Sequence, residues 1–153
     1  DGRFPGTIPQ FLRLLEHPKV NMIFARNPVY YRGDCVTAHP KLSAYPIGVI
    51  NSTAWARQLN SYTRPLQDRP KLILCGAIKW YHIRAKPLSV LKRLRFNCSK
   101  ALSPEAYFQE MVRSKFVASP RGKGDSNFRD FEALTAGSIP IVQDIPSLRS
   151  LWA

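Results

Sequence analysis

The sequence predicts an α/β fold: a parallel sheet flanked by helices, in one domain over residues 1–153. Two observations carry this. Short segments rich in β-branched and apolar residues alternate with stretches of helical period. Between Lys115 and Val142 the order is strand, glycine-rich loop, helix, strand, the repeating unit of a parallel sheet.

Val20–Ala25 reads as a buried strand, and Tyr45–Ile50 as a second strand or a strand end. Asn27–Tyr45 between them reads as loop, broken by Pro28, Gly33 and Pro40. Ser52 is suited to cap a short helix through about Leu59, and Ser61–Pro70 reads as loop. Lys71–Ala77 (KLILCGA) is the clearest strand by composition. A helix is expected from about Pro87 to Arg95, where Leu88, Leu91 and Leu94 recur at threes and Lys92, Arg93 and Arg95 turn outward. Ser103 and Pro104 form an N-cap and first helical position, opening a helix whose apolar face is Tyr107, Phe108, Met111 and Val112. Lys115–Ser119 is a strand, and a helix is expected over Ser126–Ala136. Gly137 follows as its C′ residue and Ser138–Val142 as the last strand. Pro140 cannot donate to a ladder, so that strand is expected at an edge, or Pro140 near its start.

Charge is the strongest bulk property. Lys plus Arg number 23 against 10 Asp plus Glu, a net +13. From Gly76 to Arg129 twelve basic residues face only Glu105, Glu110 and Asp125. Such a field attracts nucleotides, polyanions and anionic surfaces without choosing among them. No run of 18 apolar residues is present. The three cysteines, Cys35, Cys75 and Cys98, are too few and too widely spaced for a zinc site or a disulfide framework. Cys75 reads as plain core, and a Cys35–Cys98 bridge stays open.

The chemistry concentrates in Pro120-Arg-Gly-Lys-Gly-Asp-Ser126, which leaves the carboxyl end of a strand, where open α/β sheets bind ligands. Gly122 and Gly124 let backbone approach a ligand, and the following helix N-terminus favours an anion. Arg121, Lys123 and Arg129 add positive charge, and an Arg can grip phosphate oxygens in pairs. On the helix, Arg129 and Glu132 are three apart and share a face. Arg129 is placed for a diphosphate, and Glu132 for two adjacent hydroxyls such as a ribose offers. Phe128, Phe131 and Leu134 share another face and are expected to pack on the sheet. Asp125 is a candidate cap for that helix, and Ser126 and Asn127 complete the loop. Arg84, past the Lys71–Ala77 strand, is a weaker phosphate candidate. The loop is neither a Walker A loop nor a G-x-G-x-x-G turn.

At these residues the chain resembles exostosin-like glycosyltransferases. Lys115–Val142 (KFVASPRGKGDSNFRDFEALTAGSIPIV) is similar to their donor-binding signature. Arg121, Gly122, Gly124, Arg129, Glu132, Gly137 and Pro140 fall on the pattern. His39–Val49 (HPKLSAYPIGV) is a weaker match, which implies that Asn27 and Gly48 lie near the cleft. The resemblance implies one Rossmann-like half of a GT-B enzyme, truncated at both ends, because such enzymes need about twice this length. It implies a nucleotide-sugar donor, a UDP-sugar foremost, and a carbohydrate or glycoprotein acceptor. It also implies a missing N-terminal domain or partner chain, and no Asp-x-Asp-held metal; the sequence contains no Asp-x-Asp. The donor set is then Arg121, Gly122, Lys123, Gly124, Asp125, Ser126, Asn127, Arg129 and Glu132. No convincing catalytic base stands out: Asp34, His39 and His82 are the weak candidates. Eukaryotic relatives are Golgi-lumenal and anchored; a cytoplasmic or viral setting fits this chain equally. The competing expectation is a basic nucleic-acid- or polyanion-binding module without catalysis, although no RRM, KH, zinc-finger or helix-turn-helix signature is present.

Overall fold

The computed structural model describes residues 9–26, 30–32, 35–37, 39–49, 64–98, 101–122 and 124–152. Asn27, Asp34, Lys123 and the expected helix from Ser52 to Leu59 lie outside them. The chain is mixed α/β, with two small parallel sheets and flanking helices, compatible with a Rossmann-like fold. It divides into two compact units. The first is Asp1–Ile47, Lys123–Ser126 and Asp144–Ala153; the second is Gly48–Gly122 and Asn127–Gln143.

In the first unit, helix α1 (Pro9–Glu16) precedes strand β1 (Ile23–Ala25). Strands β2 (Tyr30–Arg32) and β3 (Cys35–Thr37) pair antiparallel, and β4 (Leu42–Ala44) returns parallel to β1. Two sequence expectations are corrected here. The segment Asn27–Tyr45 was expected as loop, yet it carries three short strands. Tyr30, Tyr31, Val36 and Thr37 are strong β-formers, and they flank the two-residue sequence Gly33-Asp34, a hairpin signal. Tyr45–Val49, expected as a strand, has no regular structure. Gly48 has φ +79°, which takes the backbone off the extended path. A 3-10 turn at Pro146–Leu148 leads into α5 (Arg149–Trp152). Ile145, Leu148 and Leu151 close over Ala44. The Ser150 hydroxyl accepts the Ala44 N–H at 3.2 Å.

The second unit holds a three-stranded parallel sheet in the order β5 (Lys71–Leu74), β6 (Ser114–Ser119), β7 (Ile139–Val142). Pro140 is the second residue of β7, which lies at the edge of this sheet, where a missing N–H costs least. Helix α2 (Ala85–Arg93) begins two residues before its expected start and packs Leu88 and Leu91 against Cys75 and Ala118 on one sheet face. Helices α3 (Pro104–Val112) and α4 (Phe128–Thr135) cover the other face. There Leu74 and Val117 meet Phe108, Met111, Val112, Ala133 and Ala136. Ser103 caps α3, its hydroxyl accepting the Ala106 N–H at 3.2 Å, with Pro104 in the first turn. Gly137, with φ +69°, ends α4 in a left-handed turn, its N–H bonded to the Leu134 carbonyl and that of Ser138 to Ala133.

The face of α4 that meets the sheet is not the expected one. Phe128 and Leu134 are exposed at 36% and 49%, while Asp130, Ala133 and Ala136 are nearly solvent-free. Two alanines let the helix approach closely, and Asp130 is carried inward because it has partners there.

The cysteine expectation is also corrected. Cys75 is bonded to Cys98, 23 residues on, across a Cα–Cα distance of 4.5 Å. Helix α2 doubles back over the sheet face that carries Cys75, so residues distant in sequence meet. A bridge closing a loop of this length contributes about 3 kcal/mol by restricting the unfolded chain.

The amino ends of the strands are tied by Arg69, which is 5% exposed. It donates to the Ser114 carbonyl (3.1 Å), the Ser138 hydroxyl (2.7 Å) and the Ala136 carbonyl (2.9 Å). Burial lowers its pKa from the ordinary value. Lys71 and Glu110 form an ion pair at the start of β5.

Candidate functional site

At the carboxyl end of the same sheet stands a second arginine with internal partners, the half-buried Arg129. Being the second residue of α4, it reaches back under the strand ends. Its Nε donates to Ala118 O of β6 at 2.8 Å, Nη2 to Gly76 O at 3.0 Å, and Nη1 to Ala77 O at 3.5 Å. The guanidinium carbon lies 5.1 Å from the centre of the Tyr107 ring. Burial lowers its pKa, and Tyr107 and Glu132 oppose that shift. An arginine so placed keeps its charge at neutral pH. Ala77, one of its acceptors, has φ +57°, a strained conformation for a residue with a Cβ.

Glu132 stands one turn further along α4 and is 8% exposed. It accepts a hydrogen bond from the Tyr107 hydroxyl at 2.9 Å. Burial raises the pKa of its carboxyl, and the Tyr107 bond and the Arg129 charge oppose that rise. Tyr107 is itself pushed well above the usual phenol range, chiefly by burial. Arg129, Tyr107 and Glu132 thus form one cluster. The sequence pairs Arg129 with Glu132 but omits Tyr107, because that residue reads as part of the apolar face of α3.

Asp130 points the other way and binds the end of β6 to the start of α4. Its Oδ1 accepts the Ser119 hydroxyl at 2.5 Å and its Oδ2 the Asn127 N–H at 3.0 Å. Burial raises its pKa, against the bonds from Ser119 and Asn127. Asn127, rather than Asp125, is therefore the N-cap, with Asp130 returning the bond three residues on. The spacing Asn127-x-x-Asp130 is the capping-box signal for this helix in the sequence.

The backbone of the Pro120–Gly122 loop is gripped by three side chains. Asn127 Nδ2 donates to Pro120 O at 3.3 Å, Arg84 Nε to Arg121 O at 2.9 Å, and the Arg121 N–H to Gln143 Oε1 at 2.9 Å. Arg84 is further held by the Lys79 carbonyl (2.6 Å) and Asn127 Oδ1 (3.4 Å), and it lies over the Tyr81 ring. Burial lowers its pKa, with the Tyr81 interaction opposing. A Cβ on Gly122 would come within 3.0 Å of both Arg84 Nη2 and Asn127 Oδ1. Gly122 is required so that the guanidinium can seat against the loop.

Of the residues singled out from sequence, the structure gathers Arg84, Arg121, Gly122, Asn127 and Arg129 around the carboxyl ends of β5 and β6, with Glu132 one turn along α4 and bonded to Tyr107. Gly124, Asp125 and Ser126 belong to the first unit, where Asp125 and Ser126 are buried. Gly48 lies within the second unit, and a Cβ added there would meet nothing within 4 Å among the described residues. His39 is in the first unit, its Nδ1 accepting the Lys41 N–H, and His82 is exposed in a 3-10 turn. Among the described residues no group of three His, Cys, Asp or Glu side chains is arranged to hold a metal, and no helix is long and apolar enough to cross a membrane.

No protein-family model, curated protein or solved structure matches this chain.

Proposed function

We propose that the second unit is the donor-binding part of a glycosyltransferase of the GT-B type, taking a nucleoside-diphosphate sugar. The observation that carries this reading is the convergence of Arg84, Arg121, Arg129 and the N-terminus of α4 at the carboxyl end of a parallel sheet, beside the half-buried Tyr107 and the buried Glu132 to which it is bonded. Three arginines and a helix N-terminus suit a diphosphate. A carboxylate one turn deeper suits the paired hydroxyls of a ribose. The motif resemblance over Lys115–Val142 points the same way.

The reaction would move a sugar from the diphosphate to an acceptor hydroxyl. Negative charge grows on the leaving diphosphate in the transition state, and fixed cations lower that barrier. Arg129 would act mainly through its field and by holding the strand ends, since three of its N–H donors already serve carbonyls. Arg121 and Arg84 stand at the loop itself. Glu132 orients the nucleotide and is not the base. The test is calorimetric titration with uridine and guanosine diphosphates, with Glu132→Ala expected to weaken binding at least about ten-fold.

A second reading follows from a separate observation. No acidic residue occurs between Asp68 and Glu105, and Lys86, Lys92, Arg93 and Arg95 on and just past α2 are all exposed. That face suits a polyanion such as nucleic acid. Binding to an oligonucleotide that falls steeply with salt, without any nucleotide-diphosphate binding, would favour it.

A further inference from the structure

Gln143 follows β7 directly, and the register of the sheet sets Val142 beside Ser119, the last residue of β6. The side chain therefore leaves the same end of the sheet as the Pro120–Gly122 loop. Its Oε1 accepts the Arg121 N–H at 2.9 Å. A backbone N–H can only donate, so this contact fixes which way the carboxamide is turned. The oxygen faces the loop, and the Nε2, with its two donors, faces away from it. The Pro120 and Arg121 carbonyls on either side of this N–H are taken by Asn127 and Arg84. The Arg121 N–H is thus engaged within the protein, and the side chain that engages it carries two N–H donors of its own.

We propose that Gln143 is a ligand-contacting residue of this site, its Nε2 donating to a phosphate oxygen of the bound nucleoside diphosphate. The proposal rests on the donor-binding reading given above. Gln143 relays the donor capacity of the Arg121 amide outward by the length of one carboxamide. Its neutral amide is what the site needs there: a carboxylate would accept the Arg121 N–H equally well but would turn a lone pair and a negative charge toward the anion.

The isosteric change Gln143→Glu therefore separates folding from binding. It keeps the acceptor for Arg121 and reverses the outward-facing chemistry. The full chain and the variant are titrated by calorimetry with uridine diphosphate, guanosine diphosphate and inorganic pyrophosphate, and their thermal midpoints are recorded without ligand. The expected result is a loss of at least about ten-fold in affinity for the diphosphates and pyrophosphate, at an unchanged ligand-free midpoint. Gln143→Met, which has no donors and only a weakly accepting thioether, is expected to weaken binding to a lesser degree. Wild-type binding that Gln143→Glu leaves intact would overturn the role of Gln143 while sparing the donor site. Wild type that binds none of the three probes would overturn the donor reading, and the role of Gln143 with it.

Discussion

Arg129 donates its Nε to the carbonyl of Ala118 at 2.8 Å, and the same guanidinium reaches Gly76 and Ala77 past the end of the neighbouring strand. One side chain from α4 therefore fixes the spacing of β5 and β6 at the end where the site forms. Arg129→Met removes the donors while keeping an unbranched side chain, and leaves buried carbonyls without partners. A destabilisation of about 2–4 kcal/mol is expected from urea unfolding. Arg129→Lys keeps the charge but cannot bridge both strands, and is expected to recover less than half of the loss.

Gly137 and Gly48 give a paired test of backbone and packing. Both have positive φ, +69° and +79°, but a Cβ on Gly137 would lie 2.7 Å from Arg69 Nη2, whereas one on Gly48 meets nothing within 4 Å among the described residues. Gly48→Ala is expected to cost about 1 kcal/mol, the penalty of the left-handed conformation alone. Gly137→Ala adds displacement of the buried Arg69 guanidinium and is expected to cost at least about 2 kcal/mol more. Equal losses in thermal or chemical unfolding would contradict the clamp assigned to Arg69.

The Cys75–Cys98 bond adjoins Gly76 and Ala77, the carbonyl acceptors of Arg129. Reduction is expected to lower stability by about 3 kcal/mol. It is also expected to weaken diphosphate binding, because the strained Ala77 turn loses its anchor. Free-thiol counting on the folded and unfolded protein, with ligand titration before and after reduction, checks both effects.

Glu132 makes stability depend on pH in a stated direction. Its folded pKa is raised by burial above the ordinary 4.5, so the folded state holds the proton more tightly than the unfolded state. The corresponding stability is present below the ordinary pKa and is lost as pH rises through the raised one. Relative to Glu132→Gln, which has no such group, the wild type is expected to lose stability as pH climbs from about 4 toward neutrality, and then to level off. Thermal midpoints of the two proteins across that range give the difference directly.

The sequence makes the second unit more legible than the first. Strands β5, β6 and β7, the caps at Ser103 and Gly137, and the edge position of Pro140 all follow from local chemistry that the packing does not override. The first unit depends on three-residue strands, which carry too little period to be read and whose pairing joins residues far apart, as Ile23 with Leu42. The inward face of α4 was hidden for a different reason. Hydrophobicity favours Phe128 and Leu134, but the buried partners Ser119 and Asn127 make Asp130 the better inward residue. Tyr107, Gln143 and the Cys75–Cys98 pair reach the site through tertiary contacts alone, so no spacing in the sequence announces them.

The proposed donor site at this sheet end binds a nucleoside diphosphate through its arginines and Glu132. The most direct measurement is calorimetric titration of the chain with uridine and guanosine diphosphates, repeated with Arg121→Ala and Glu132→Ala. The expected result is saturable binding that weakens at least about ten-fold in each variant. Binding of equal strength in wild type and both variants, or no binding to either nucleotide, would contradict it.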